Sequence, residues 1–157
     1  MVVIKGIGAL LILLVGGVAA YSTVRYEKKR LSVIDGWIDL ILYIRGQIDC
    51  FLLPLDEILQ RSDRRILDAC MSPENATDLR AIYRASSIYL DGEVKRLLEG
   101  FVREAGASRE EQLRLCDYYI AALRTQRERI ALALPTRVRL CAVLCICISC
   151  GTAILLW

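Results

Sequence analysis

Residues 31–55, LSVIDGWIDLILYIRGQIDCFLLPL, carry large apolar side chains at intervals of seven positions. Three such rows occur: Ile34, Ile41, Ile48 and Leu55; Trp37, Ile44 and Phe51; Leu31, Ile38 and Leu52. Side chains at this spacing form one broad apolar stripe on an α-helix. The stretch therefore predicts a single amphipathic helix, weakened at Gly36 and Gly46 and ended or kinked at Pro54.

The residues that follow predict further helices separated by short breaks. Residues 55–70 are expected to resume as a short second helix, followed by helices at 78–89 and 91–103. Residues 71–74 form a break in which Pro73 suits a first helical position, and Gly106 suits a helix C-cap. Because no segment alternates like a strand with hairpin signals, the predicted fold class is all-α.

Charge divides the chain into three parts. Every Lys, Arg, Asp and Glu except Lys5 lies between Arg25 and Arg139. Outside that window, residues 6–24 and the 18 residues at 140–157 are uncharged and mostly apolar. A helix needs about 20 residues to cross the hydrocarbon layer of a bilayer. The predicted organisation is therefore a transmembrane helix at 1–24, a helical domain at 25–139 and a second transmembrane helix at 140–157.

Basic residues beside the two apolar runs predict their orientation. They are Arg25, Lys28, Lys29 and Arg30 after the first run, and Arg137 and Arg139 before the second. Because Lys and Arg concentrate in cytosolic flanks, both predicted spans place the middle domain in the cytosol and both termini outside. A cleaved signal peptide is the alternative for the first run, but its positive charge would lie mainly before the apolar residues, the reverse of this layout.

The last predicted helix opens at a capping box, with Ser108 at the N-cap and Glu111 three residues later. Its apolar face carries Leu113, Cys116, Ile120, Leu123 and Ile130. Pro135 is expected to interrupt it just before the bilayer. Since the first helix leaves the membrane and the last returns to it, the two should run antiparallel in a bundle of about five to six helices.

Composition argues against catalytic and nucleic-acid functions. The chain has no histidine, which removes the commonest general base and the commonest zinc ligand. Its net charge of +3 comes from acidic and basic residues that are interspersed, so no nucleic-acid surface is expected. The sequence has no phosphate-binding glycine motif, nucleophile elbow or zinc-protease motif. We therefore expect no enzyme activity, no cofactor, no metal and no small-molecule substrate.

Cysteines crowd into the second apolar run. Four of the seven lie there: Cys141, Cys145, Cys147 and Cys150. The last two have the C-x-x-C spacing of redox and zinc motifs, but a thiolate in a lipid-embedded helix would be desolvated with no cation nearby. Helix packing is the favoured interpretation, and a membrane thiol or metal protein is the alternative.

One polar stretch is a candidate contact site. Asp63, Arg64 and Arg65 are consecutive charged residues, which are usually a solvated surface. Their functional alternative is a contact patch for an acidic surface of a partner protein.

A set of short sequence matches extends over nearly the whole chain. It comprises GALLI at 8–12, the stretch from Arg30 to Leu42, Ile48, Pro54-Leu55, LEGF at 98–101, Gly106 and Gln112. With the two apolar ends and the helical middle, this pattern resembles the stage III sporulation protein AB family of endospore-forming bacteria. Four positions carry the later part of the family pattern: Leu98, Phe101, Gly106 and Gln112. The chain departs from that pattern in its cysteine-rich second span and at Pro135.

The resemblance implies a non-enzymatic part of the channel complex that joins mother cell and forespore. Its cytosolic bundle would dock a hexameric ATPase, stage III sporulation protein AA, and neighbouring membrane components of the channel. The implied location is the mother-cell membrane around the forespore. A platform component of a type II secretion or type IV pilus system is the alternative within the same architecture.

Overall fold

A computed structural model describes the backbone of residues 2–51, 55–73, 78–104 and 108–156. Side chains are described from Leu14 to Gly151 within these ranges, except at positions 56, 137, 145, 149 and 150. The helices are α1 (Val2–Phe51), α2 (Leu55–Arg61), α3 (Arg64–Ala69), α4 (Leu79–Ser86), α5 (Gly92–Glu104) and α6 (Arg109–Leu156). A 3-10 turn, Ser87–Tyr89, follows α4. The described residues contain no strand, which confirms the predicted all-α class.

The chain divides into two compact units. Residues Lys29–Ile130 form one, here called the charged unit, and Met1–Lys28 together with Ala131–Trp157 form the other, here called the terminal unit. Both α1 and α6 contribute residues to each unit. Every buried hydrophobic residue in the described part of the chain belongs to the charged unit.

The core of the charged unit follows the predicted apolar stripe of α1. Residues Ile34, Trp37, Ile38, Ile41, Ile44 and Ile48 are all buried. Val33 and Leu40 are also fully buried, so helices pack on a wider face of α1 than the seven-residue rows indicate. Phe51, in contrast, is 65% exposed, and its predicted place in the stripe is wrong. It is the last residue of α1.

The segment predicted as one helix at 55–70 is two helices. Asp63 lies between them and accepts a hydrogen bond from the Arg65 backbone N–H at 2.9 Å. This N-cap fixes a new helix start, because the aspartate side chain satisfies an N–H group that a continuous helix would have used internally. The expectation of an uninterrupted helix is therefore wrong at Ser62–Asp63.

Helix α3 ends in a Schellman motif with methionine where glycine is usual. The Ser72 N–H donates to the Leu67 carbonyl at 2.9 Å, and the Met71 N–H donates to the Asp68 carbonyl at 3.0 Å. Met71 has a φ of 61°, a left-handed conformation that glycine adopts more readily. The predicted break at 71–74 is present at 71–73, the part of it that the structure describes, and Pro73 is not helical. The next described helix starts at Leu79 with Asp78 as its N-cap.

Gly36 is required by packing rather than being a weak point of α1. A Cβ atom at this position would lie 2.7 Å from the Ala69 carbonyl carbon at the end of α3. Only glycine allows the two helices to approach this closely. A Cβ at Gly46 would meet nothing within 4 Å, so the two glycines of the same helix differ completely in their surroundings.

The contacts between α1 and α6 show that these helices run antiparallel within the charged unit. Arg127 Nε pairs with Asp35 at 2.9 Å, and Arg45 Nε pairs with Asp117 at 2.6 Å. Arg109 donates to the Asp49 carbonyl at 2.7 Å. As the residue number rises along α1, that of its partner falls along α6, which confirms the predicted direction.

Helix α6 continues through Pro135, so the predicted interruption is wrong. A proline inside a helix removes one backbone hydrogen bond and crowds the carbonyl four residues earlier. Strong helix formers precede it directly, with the sequence ALAL at 131–134.

The terminal unit exposes its apolar side chains. Examples are Val15 at 69%, Val18 at 68% and Ile146 at 59%. By length and composition, the described residues include one helix able to cross a membrane, in α6 at Arg109–Ile148. The first predicted span is helical as part of α1, but the side chains of residues 6–13 lie outside the described set.

Candidate functional site

The predicted patch of Asp63, Arg64 and Arg65 is exposed, but two of its three members act locally. Asp63 caps α3, and Arg64 Nε pairs with Asp68 at 3.0 Å one turn along the same helix. An exposed pair at this spacing stabilises its own helix slightly. The local arrangement accounts for Asp63 and Arg64, whereas the Arg65 side chain is exposed and the contact patch stays a prediction.

The basic residues that predict topology lie in different environments. Arg25, Lys28, Lys29 and Arg139 are exposed, and the side chain of Arg137 lies outside the described set. Arg30 is buried, with 5% exposure, and forms an ion pair with Asp91 just before α5. A buried guanidinium needs such a carboxylate, because desolvation of an isolated charge is costly. Arg30 therefore links α1 to the start of α5 within the charged unit.

A second buried polar contact joins α1 to α4. Trp37 Nε1 donates to Ser86 Oγ at 3.0 Å, and Ser86 Oγ donates to the Tyr83 carbonyl at 3.1 Å. Both Trp37 and Ser86 are fully buried. The indole N–H is a donor that would otherwise be left without a partner in an apolar core. Nothing in the periodicity of the sequence identified Ser86, which is 49 residues away from Trp37 along the chain.

The predicted family-pattern residues on α5 are packing residues. Leu98 and Phe101 are buried, and Gly100 between them faces the Tyr119 hydroxyl, which lies 2.6 Å from where a Cβ would stand. The Tyr119 hydroxyl donates to Glu104 Oε2 at 3.0 Å, and its ring meets Phe101 edge to face at 5.4 Å.

Burial raises the pKa of Tyr119 to about 12, with the Glu104 hydrogen bond adding to the effect, so the phenol remains protonated. Two further family-pattern positions lie elsewhere: Gln112 is half-buried in the first turn of α6, and Gly106 lies outside the described residues.

The buried cysteines of the charged unit have little nucleophilic character. Burial raises the pKa of Cys70 to about 12, with a smaller contribution from Asp39. Burial also raises the pKa of Cys116 to about 11, with Asp117 adding to the shift and Arg45 opposing it. Since the thiolate is the reactive form, neither residue is suited to thiol chemistry at neutral pH.

Metal ligands do not gather in the described part of the chain. No group of three or more Cys, Asp or Glu side chains there could hold a metal ion. In the cysteine-rich segment, Cys147 is exposed and Cys141 is half-buried, while the side chains of Cys145 and Cys150 lie outside the description. The alternative of a membrane thiol or metal site therefore rests on the sequence spacing alone.

A basic cleft lies between α4 and α5. Its volume is about 230 Å³, and its lining comprises Arg80, Tyr83 and Arg84 from α4 with Glu99 and Arg103 from α5. The four charged residues are exposed and Tyr83 is half-buried. Burial raises the pKa of Tyr83, and Glu99 adds to the shift, so its hydroxyl remains a neutral donor. Sequence analysis missed this cleft, because it forms only when the two helices pack together.

A second cleft, of about 260 Å³, lies between α5 and α6. It is lined by Glu93, Arg96, Leu97, Tyr118 and Tyr119. With one acidic and one basic side chain, it has no excess of either charge. The two clefts of similar size therefore differ mainly in charge, and only the cleft between α4 and α5 is strongly basic.

The chain matches no protein-family model, no curated protein and no solved structure.

Proposed function

We propose that this chain is a non-enzymatic adaptor, anchored in a membrane by its apolar ends, whose charged unit docks a cytosolic ATPase. The observation that carries the proposal is the contrast between the two units. All buried hydrophobic residues of the described part lie in the charged unit, whereas large apolar side chains of the terminal unit are exposed. Exposed apolar helices of this length are stable in lipid.

The sequence resemblance gives the biological setting of this proposal. In that setting the chain is part of the sporulation channel complex between mother cell and forespore, and its ATPase partner is stage III sporulation protein AA. Two spans would place the charged unit in the cytosol and both termini outside, as the basic residues near Arg25 and Arg139 favour. Exposed charged side chains on a compact helical unit are suited to protein contacts.

Several features support a docking role over a catalytic one. The buried polar groups of the charged unit, such as Arg30 and the Trp37–Ser86 pair, act within the fold. The Cys70 and Cys116 thiols are held protonated by burial. What remains available to other molecules is an exposed charged surface, and a partner protein is the ligand that such a surface fits best.

Co-purification tests the proposed function. The full chain, tagged at one end and extracted in mild detergent from sporulating cells, is expected to retain the ATPase and other channel components. Deletion of the gene is expected to block sporulation. Recovery of the chain without any ATPase, together with normal spore counts in the deletion strain, would contradict the proposal.

A further inference from the structure

We propose that the cleft between α4 and α5 binds a pair of carboxylate side chains presented by an acidic segment of a partner protein. This inference rests on the proposed function, to which it adds a docking face and the chemistry of the partner. The residues that carry it are Arg80 and Arg84 on α4 and Arg103 on α5. None of them belongs to the patch at 63–65 or to the family pattern.

These three arginines are available to a ligand because they make no ion pair within the described residues, although the charge of Arg103 also acts on the Tyr119 phenol. Other arginines of the charged unit hold the fold through carboxylates: Arg30, Arg45, Arg61, Arg64, Arg109 and Arg127. No ion pair within the described residues involves Arg80, Arg84 or Arg103. Three arginines gathered at one cleft, with no carboxylate partner among the described residues, form a surface suited to an anionic ligand.

The spacing of the two arginines on α4 matches that of two carboxylates on a partner. Arg80 and Arg84 are separated by one turn of α4, which places them about 6 Å apart along the helix axis. Carboxylates four residues apart on a partner helix, or two residues apart on a strand, have about the same separation. Each guanidinium presents a planar set of N–H donors that matches one carboxylate. Arg103 adds a donor from the opposite side of the cleft.

The charge, size and lining of the cleft favour carboxylates over phosphate groups. Glu99 lies in the same cleft and lowers its net positive charge, and the spacing of Arg80 and Arg84 suits two separate, singly charged groups better than one doubly charged phosphate. The volume of about 230 Å³ suits one or two side chains rather than a nucleic-acid backbone, which needs an extended basic surface. Tyr83 offers an apolar ring together with a hydroxyl donor, a combination common at protein interfaces.

The test uses the full chain in detergent micelles and a defined acidic peptide. The probe is a fluorescein-labelled, alanine-rich helical peptide of about 15 residues that carries glutamates four residues apart. A matched peptide has glutamine at those positions. In fluorescence anisotropy at low salt, the glutamate peptide is expected to bind saturably, and the glutamine peptide roughly tenfold or more weakly. Added salt should weaken binding of the glutamate peptide.

Matched charge variants locate the binding. R80Q/R84Q removes two positive charges from the cleft and is expected to weaken binding of the glutamate peptide roughly tenfold. R114Q/R124Q removes two charges from exposed positions on α6, outside both clefts, and should leave affinity within about twofold. E99Q is expected to tighten binding, because it removes the one negative charge of the cleft. Equal losses in the two double variants would overturn the inference, as would no binding by the unaltered chain.

Two competitors test the chemistry of the ligand. Inorganic phosphate and vesicles of phosphatidylglycerol should displace the peptide only weakly. Displacement by either at concentrations below those of unlabelled glutamate peptide would overturn the assignment to carboxylates. All variants are compared with the unaltered chain by thermal unfolding, and because the replaced side chains are exposed, their melting temperatures should agree.

Co-purification with the same variants separates this inference from the proposed function. If the unaltered chain and R114Q/R124Q retain the ATPase and R80Q/R84Q loses it, both are supported. If all three retain it equally, the cleft is not the docking face but the adaptor function stands. If the unaltered chain retains no ATPase, the proposed function fails, and the peptide titration still decides whether the cleft binds carboxylates.

Discussion

Large apolar side chains are mostly buried in the charged unit and mostly exposed in the terminal unit. Ile34 in the charged unit is 0% exposed, whereas Ile146 in the terminal unit is 59% exposed. Both residues lie on long helices, so secondary structure does not account for the difference. In the charged unit, helices cover one another's apolar faces. In the terminal unit the apolar faces remain available to a different solvent, and lipid is the solvent we propose.

The boundary between the two units follows the distribution of charged residues along the chain and does not coincide with the ends of helices. Helices α1 and α6 each cross from one unit to the other without a break. What changes along each helix is the distribution of charged and polar residues, which are abundant in the charged unit and sparse in the terminal unit. Substitutions at matched positions in the two units should therefore differ in their effects on stability.

The largest expected difference is between two isoleucines. Ile34→Ala removes a fully buried side chain from the core and should lower the free energy of unfolding by about 2–5 kcal/mol. Ile146→Ala shortens a side chain that is 59% exposed, and should change the free energy of unfolding by less than about 0.5 kcal/mol. Denaturant unfolding of the full chain in detergent, followed by circular dichroism, measures both. Similar losses would mean that the two units do not differ in packing.

Two glycines of α1 should respond in opposite directions to the same substitution. Gly36→Ala places a methyl group 2.7 Å from the Ala69 carbonyl carbon and is expected to destabilise the charged unit by about 1–3 kcal/mol. Gly46→Ala meets nothing within 4 Å and should stabilise the helix by about 0.5–1 kcal/mol. Thermal unfolding of the two variants checks the sign. A stabilising Gly36→Ala would show that α1 and α3 do not approach this closely.

Alkaline pH should destabilise the charged unit through its buried thiols. The folded-state pKa of Cys70 is raised from 9.0 to about 12. The stability contributed by its neutral form is therefore fully present below pH 9 and is lost as the pH rises through about 12. Between these pH values the free energy of unfolding should fall by up to about 1.4 kcal/mol per pH unit for each such thiol. Melting temperatures between pH 8 and about 10.5 measure this loss of stability. Cys70→Ala should reduce the dependence of the melting temperature on pH. Cys50→Ala, at an exposed position, should leave that dependence unchanged.

The smallest effect is expected at the ion pairs between α1 and α6. Asp35 and Arg127 are each about half exposed, so their coupling should be only about 0.2–1 kcal/mol. A double-mutant cycle with Asp35→Asn and Arg127→Gln measures this coupling, and high salt should reduce it. A coupling of several kcal/mol would mean that the pair is shielded from water more than its exposure indicates.

Local patterns in the sequence predicted much of the charged unit. Repeated isoleucines at 34, 41 and 48 identified the buried face of α1. Ser108 directly precedes α6, and its carbonyl accepts from the Gln112 N–H at 2.8 Å. The antiparallel order of α1 and α6 followed from proposed membrane connections, and the ion pairs confirm it. These features depend on residue spacing within one segment, or on the direction in which two helices must run.

Features that depend on distant residues were missed. The requirement for Gly36 exists only because Ala69 packs against it, whereas the split at Ser62–Asp63 has a local signal, the N-cap residue Asp63. The buried Arg30–Asp91 and Trp37–Ser86 pairs likewise join residues far apart in the chain. The cleft of Arg80, Arg84 and Arg103 appears only after α4 and α5 are packed. Pairings of this kind have no periodic signature in a single sequence.

The proposed division between water and lipid is tested most directly by labelling single cysteines from one side of the membrane. One variant keeps Cys50, which is exposed in the charged unit, and a second has all native cysteines replaced and carries Val2→Cys. Both are produced in growing, non-sporulating bacterial cells, where the outer side of the plasma membrane faces the medium, and the intact cells are treated with a membrane-impermeant maleimide. The account predicts that Val2→Cys is labelled in intact cells and Cys50 only after permeabilisation. Labelling of Cys50 in intact cells, or the same accessibility at both positions, would contradict it.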